Sequence, residues 1–205
     1  MQGLVRELVA AVRGGEVRCV LVAGPAACGK SLAAGRVARE CGLPFVVLDC
    51  SLLAACTDAR EADAALLRAL LPLAQTGGVL LLDSLDAILP AVAGAGGARG
   101  RQAAAAVQER LEELAVGAQV VLLATAPGTE SLAPAAAALF ASCVRRVGPP
   151  RDSEREAMVA QLLGRPAPAT AAALRGCSGG EVRRALLAAM QESVSEFMFV
   201  PLPPV

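Results

Sequence analysis

The sequence predicts an α/β chain: a doubly wound, five-stranded parallel sheet followed by a small helical appendage. Three observations carry this. Apolar runs of strand length alternate with helical stretches up to residue 147, the pattern of a parallel sheet built from crossover units. The run 78–82 is almost unbroken apolar and ends in Asp83, which suits a strand buried on both faces. After Pro149-Pro150 the pattern turns helical.

The elements follow in order. Residues 2–13 read as an amphipathic helix, 17–23 as the first strand and 24–29 as a loop. A helix over 30–40 precedes a strand over 43–48. Residues 58–74 form a helix, with Thr57 and Asp58 as cap candidates. The third strand is 78–82. Residues 91–100 (AVAGAGGARG) read as a flexible loop. A helix over 101–115, a strand over 119–125, a short helix over 133–139 and a fifth strand over 143–147 complete the sheet. Helices over 153–163, 169–174 and 180–194 follow. The expected organisation is a core of residues 1–150, a helical domain of 151–195, and a Pro-rich apolar tail of 196–205.

Composition narrows the class. With 205 residues the chain is one domain, or one domain with an appendage, and buries roughly 70% of its unfolded surface. At 55% hydrophobic and zero net charge it is the opposite of a disordered chain. Zero net charge and only 2% aromatics count against nucleic acid as a partner. Mean hydropathy is +0.55, but 45 alanines inflate it. The longest apolar runs, 77–82 and 120–126, fall short of the roughly 18–20 residues of a spanning helix. Arg6, Glu7 and Arg13 interrupt the N-terminus where a secretory signal is apolar. Seven cysteines without a CxxC pair, and without His, read as free thiols of a reducing, cytoplasmic compartment.

One lysine stands among 18 arginines. Lys30 falls in Gly24-Pro25-Ala26-Ala27-Cys28-Gly29-Lys30-Ser31, a GxxxxGK[ST] loop between a strand and a helix. Glycines let backbone N–H groups converge on phosphates, and the helix N-terminus adds positive dipole character. A slender ammonium reaches the β- and γ-phosphates along a path too narrow for a guanidinium fork. Ser31 is the expected Mg²⁺ ligand, and Leu32 continues the phosphate-binding segment. Leu80-Leu81-Leu82-Asp83 is the second half of the site, with Asp83 holding Mg²⁺. Lys30 and Asp83 are the catalytic candidates, and the expected fold is the parallel sheet of a P-loop NTPase.

The order of these motifs resembles the AAA ATPases. After the phosphate loop come Asp83-Ser84-Leu85-Asp86, Ala124-Thr125, Leu132-Ala133-Pro134, Phe140, and Pro149-Pro150 with Ser153-Glu154-Arg155. Residues 176–190 are similar to that family's helical lid, and the resemblance covers about residues 15–195. It is nearest to the first, degenerate ATPase domain of two-domain members, the peroxin-1-like proteins of peroxisome biogenesis. The resemblance implies ATP and Mg²⁺ as cofactors and assembly into a ring with other AAA subunits or a second AAA domain. It also implies a protein substrate or adaptor, and a cytoplasmic setting peripheral to the peroxisomal membrane. Arg183, in Gly179-Gly180-Glu181-Val182-Arg183, matches a phosphate-sensing arginine of some relatives. The lid has fewer helices than is usual for the family, as in a truncated form or one domain of a longer product.

Parts of the family's machinery are missing. The position after Asp83 is usually Glu, which polarises the attacking water; here it is Ser84. The end of the fourth strand usually carries Asn; here the match is Ala126, or Thr125 in the neighbouring register. Residues 133–140 hold no arginine to reach a neighbour's phosphate. Arg145 and Arg146 follow within the strand and read as solvated edge charges. Residues 52–57 lack the aromatic of a pore loop. Loss of a general base costs roughly 10²–10⁴-fold in rate, and loss of an arginine finger about 10³–10⁵-fold. The expectation is an ATP-binding module of a protein-remodelling or translocation ATPase with weak or absent hydrolysis. An active ATPase completed by a partner subunit is one alternative. A DNA-associated clamp-loader or initiator, suggested by residues 180–186, is the other.

Overall fold

The computed structural model describes residues 2–92, 97–117 and 119–198. Five strands, β1 (Cys19–Ala23), β2 (Phe45–Asp49), β3 (Gly78–Asp83), β4 (Val120–Ala126) and β5 (Val144–Arg146), form one parallel sheet in the order β2-β3-β4-β1-β5. The doubly wound α/β class is as expected. Strands β1, β3 and β4 are central and read as the near-continuous apolar runs that two covered faces require. The edge strand β2 alternates exposed and half-buried residues.

Alternation along the strands divides the core. Leu21, Leu80, Leu82, Leu122 and Ala124 face a cluster that includes Leu66 of α4 (Ala59–Leu70), Val107 and Leu111 of α5 (Gly97–Gly117) and Ala136 of α6 (Pro134–Leu139). Val20, Val22, Val79, Leu81 and Leu123 point to the opposite face and are fully buried. There α2 (Lys30–Cys41) packs against the sheet through its small-residue stripe Ala33, Ala34, Val37 and Ala38, with α1 (Gln2–Arg13) against it.

Several boundaries differ from the sequence expectation. Helix α3 (Cys50–Ala54) was not anticipated; Asp49 caps it, its side chain accepting from the Ser51 backbone N–H. Of the loop expected over 91–100, residues 93–96 lie outside the described residues, and 97–100 form the first turn of α5. The stripe Ala103, Val107 and Leu111 anchors that helix to the core. This outweighs the roughly 1 kcal/mol by which each interior glycine disfavours helix. The cap at Asp58 is observed: its side chain accepts from the Glu61 backbone N–H.

The chain forms two compact units: Met1–Gly24 with Lys30–Val147, and Pro25–Gly29 with Gly148–Val205. The second unit contains α7 (Asp152–Leu163), α8 (Pro168–Ala173) and α9 (Gly179–Met198), joined by a core of Val159, Ala171, Val182 and Leu186. Arg155 is 3% exposed there, donating to the carbonyls of Ala171 and Pro150 and to Asp152. The tail expected from residue 196 begins later: residues 196–198 continue α9, because the next proline is Pro201, and 199–205 lie outside the described residues. All seven cysteines are free thiols. Among the described residues no helix is long and apolar enough to cross a membrane.

Candidate functional site

In the first unit the chemistry gathers at the carboxyl ends of the central strands. β3 and β4 run in register from Gly78 beside Val120 to Leu82 beside Ala124. The next pair along this ladder is Asp83 and Thr125, on the face that α2 covers. The Thr125 hydroxyl donates to Asp83 Oδ1 at 2.6 Å and accepts from the Ser84 backbone N–H at 2.9 Å. From α2, the Ser31 hydroxyl donates to the same Oδ1 at 2.8 Å. The two predicted metal-site residues therefore meet.

Lys30 opens α2, half-buried, and its Nζ donates to the Gly24 carbonyl at 2.8 Å. Gly24 has φ +155°, and a Cβ there would lie 2.0 Å from the Val147 carbonyl oxygen. Its glycine is thus required by the close passage of β1's end past Val147, the residue after β5, whose N–H bonds the Ala23 carbonyl at 2.7 Å. Leu32 is 63% exposed. Asp83 is half-buried at the end of β3.

The rest of the phosphate loop belongs to the second unit. Pro25, Ala26 and Ala27 are exposed, Cys28 is buried and Gly29 is half-buried. The Gly180 N–H donates to the Ala27 carbonyl at 2.9 Å. A Cβ on Gly180 would come within 2.6 Å of the Ala27 Cβ, so the close approach excludes any side chain there. Ser178 and Glu181 form a reciprocal capping box: the Ser178 N–H donates to Glu181 Oε2, and the Glu181 N–H to Ser178 Oγ. Hydrogen bonding from Ser178, its backbone N–H first, holds the Glu181 carboxyl below the ordinary range. Arg183 is exposed on α9.

The positions with missing chemistry are equally well placed. Ser84 adopts a left-handed backbone, φ 59° and ψ 54°, with an exposed side chain and no side-chain cap bond. Strand alternation turns Ala126 into the core, 1% exposed, on the face opposite Asp83. Of the two positions considered for the missing Asn, Thr125 is the one that shares Asp83's face. A lone threonine in the run VVLLATA, buried to 1%, was the available signal for this contact: its hydroxyl needs a partner. Arg145 is not simply solvated. It is half-buried on β5, with Nε 3.5 Å from Glu7.

Carboxylates surround this end of the sheet. Burial pushes the Cys50 thiol well up, and the nearby charges of Asp49, Asp83 and Asp86 push it further. Among the described residues no three His, Cys, Asp or Glu side chains are arranged to chelate a metal. A hydroxyl and a carboxylate are hard oxygen donors that fit Mg²⁺, an ion that keeps several waters and takes phosphate oxygens as its remaining ligands. Ser31 and Asp83 meet that description.

No curated protein matches the chain. The model of the ATPase family associated with various cellular activities (AAA) matches residues 20–147, more than half of the sequence. That span runs from β1 through the Gly24–Ser31 loop and Asp83 to the residue after β5. The chain belongs to the AAA ATPase family, whose members bind nucleotide on this fold.

Proposed function

We propose that the chain is an ATP- and Mg²⁺-binding module of a protein-remodelling or translocation ATPase, and that its own hydrolysis is slow or absent. One observation carries this reading. The Ser31 hydroxyl is hydrogen-bonded to Asp83, the pair this reading assigns to Mg²⁺, while the residue after β3 is a neutral serine whose hydroxyl cannot act as a base. In this reading residues 24–32 wrap the phosphates and Lys30 neutralises them. Ser31 ligates Mg²⁺, and Asp83 holds its water. Bound Mg²⁺ would supply charge neutralisation of the β- and γ-phosphates. Arg183 is assigned to the phosphates from the family resemblance, as is assembly with further AAA subunits. The likeness to peroxisome-biogenesis members rests on the strand-end sequences and suggests an assembly role at that organelle's membrane.

Binding and turnover measured together test the proposal. Saturating ATP–Mg²⁺ should raise the melting temperature, since ligand at 100 times its Kd stabilises by about 2.7 kcal/mol. Lys30→Ala should abolish the shift, and Arg183→Ala should reduce it. Wild-type turnover should not exceed that of Lys30→Ala. A wild type without any ATP shift sinks nucleotide binding; turnover that vanishes in Asp83→Ala sinks the inactive reading and favours the active one.

A further inference from the structure

Thr125 occupies a position that invites one role, and its hydrogen bonds allow another. At the end of β4, close to Asp83, a polar side chain could donate to the γ-phosphate. A threonine hydroxyl has one proton. The Ser84 backbone N–H can only donate, so Thr125 accepts there, at 2.9 Å. A carboxylate can only accept, so the single proton goes to Asp83, at 2.6 Å, a length typical of a charge-assisted O–H···O⁻ bond. No proton is left for a phosphate. The side chain is 1% exposed, so neither bond competes with water.

We infer that Thr125 is a positioning residue for the metal: its hydroxyl fixes the Asp83 carboxylate and the Ser84 peptide, and does not sense the γ-phosphate. The inference rests on the nucleotide-binding reading above. Two hydroxyls, from Ser31 and Thr125, converge on Asp83 Oδ1. Both hydroxyl donors to Asp83 go to Oδ1, so Oδ2 would be the oxygen left for the metal's water. The same threonine holds the Ser84 amide in its left-handed turn, where the chain leaves β3. One buried hydroxyl therefore sets both the carboxylate's orientation and the exit of the strand that bears it.

The test measures the ATP-induced melting shift of the full chain against Mg²⁺ concentration, with an EDTA arm for metal-free ATP. Thr125→Val removes the hydroxyl and keeps the shape. It should raise the Mg²⁺ midpoint about 10–100-fold, the usual cost of losing a group that orients a metal ligand. It should leave the metal-free ATP shift in place, and Thr125→Ser should restore the wild-type midpoint. In an Asp83→Asn background, Thr125→Val should add nothing, because it acts through Asp83. Hydrogen exchange at the Ser84 amide of the wild type gives a measurement independent of how the variants fold. Protection is expected, and exchange at the rate of an unstructured peptide overturns the inference. So do an unchanged midpoint in Thr125→Val, failure of Thr125→Ser to rescue, an equal loss of metal-free ATP binding, or additivity with Asp83→Asn. A wild type stabilised by ATP without any Mg²⁺ increment also overturns it while nucleotide binding stands. A wild type with no ATP shift at all removes the nucleotide reading, and this inference with it.

Discussion

β3 and β4 end side by side, and one residue separates two different chemistries. Asp83 and Thr125 share a face, bond to each other and receive Ser31 from α2. The next residue on each strand, Ser84 and Ala126, presents an exposed neutral hydroxyl and a methyl group buried in the core. On the function proposed above, the first pair would hold a cation and its phosphates; the second offers neither base nor amide. On that reading, binding and turnover would rest on adjacent positions that face different ways, so that one could be kept while the other is lost.

The sharpest way to break this contrast is to restore the base. Ser84→Glu should raise turnover by about 10²–10⁴-fold if only the acid is missing. Phosphate release measured with the full chain checks this. No gain would mean that the strand ends alone do not account for slow chemistry. A second probe lies within the second unit: Gly180→Ala forces a methyl onto Ala27 of the glycine-rich loop, at a cost of about 1–3 kcal/mol for overpacking. It should lower the melting temperature and the ATP shift together. A milder probe is Ser84→Gly, which relieves the left-handed strain and should stabilise by about 1 kcal/mol. The ATP shift should stay unchanged, which separates backbone strain at this position from binding.

The smallest effect is expected in acid, away from the strand ends. Hydrogen bonding by Arg155, with the charge of Arg175, holds the Asp152 carboxyl below its ordinary 3.8, and Ser178 holds Glu181 below 4.5. Both folded values are depressed. Their stabilisation is therefore fully present above those ordinary values and is lost as pH falls through the lower folded ones. Both side chains are exposed, so the loss is small. Melting temperature followed into acid should fall less steeply in Glu181→Gln than in wild type.

Legibility followed the range of the interactions. The five strands, the phosphate loop and Asp83 could all be read in order, because each is a local pattern of hydrophobicity, glycine and charge. Helix α3 was missed because its signal is a single capping aspartate at the end of a strand. The start of α5 was missed because Gly and Ala carry no periodicity, and the packing that decides the helix lies further along it. At the end of β4 the alternatives Thr125 and Ala126 could not be separated by sequence, since a shift of one residue reverses which face a strand side chain takes. The same is true of Gly180, whose reason is Ala27, some 150 residues away in the chain.

Residue order alone reveals the α/β class, a GxxxxGK[ST] loop with the single lysine, and the absence of an acid after Asp83. Composition, short-range spacing and strand-length periodicity are enough for these. The tertiary structure alone decided that Thr125 engages Asp83 and the Ser84 amide, that Ala126 turns into the core, and that Gly180 carries no side chain because Ala27 lies against it. Each of these is a contact between distant segments. Strand register, and the close approach of one backbone to another, fix it only once the chain is folded.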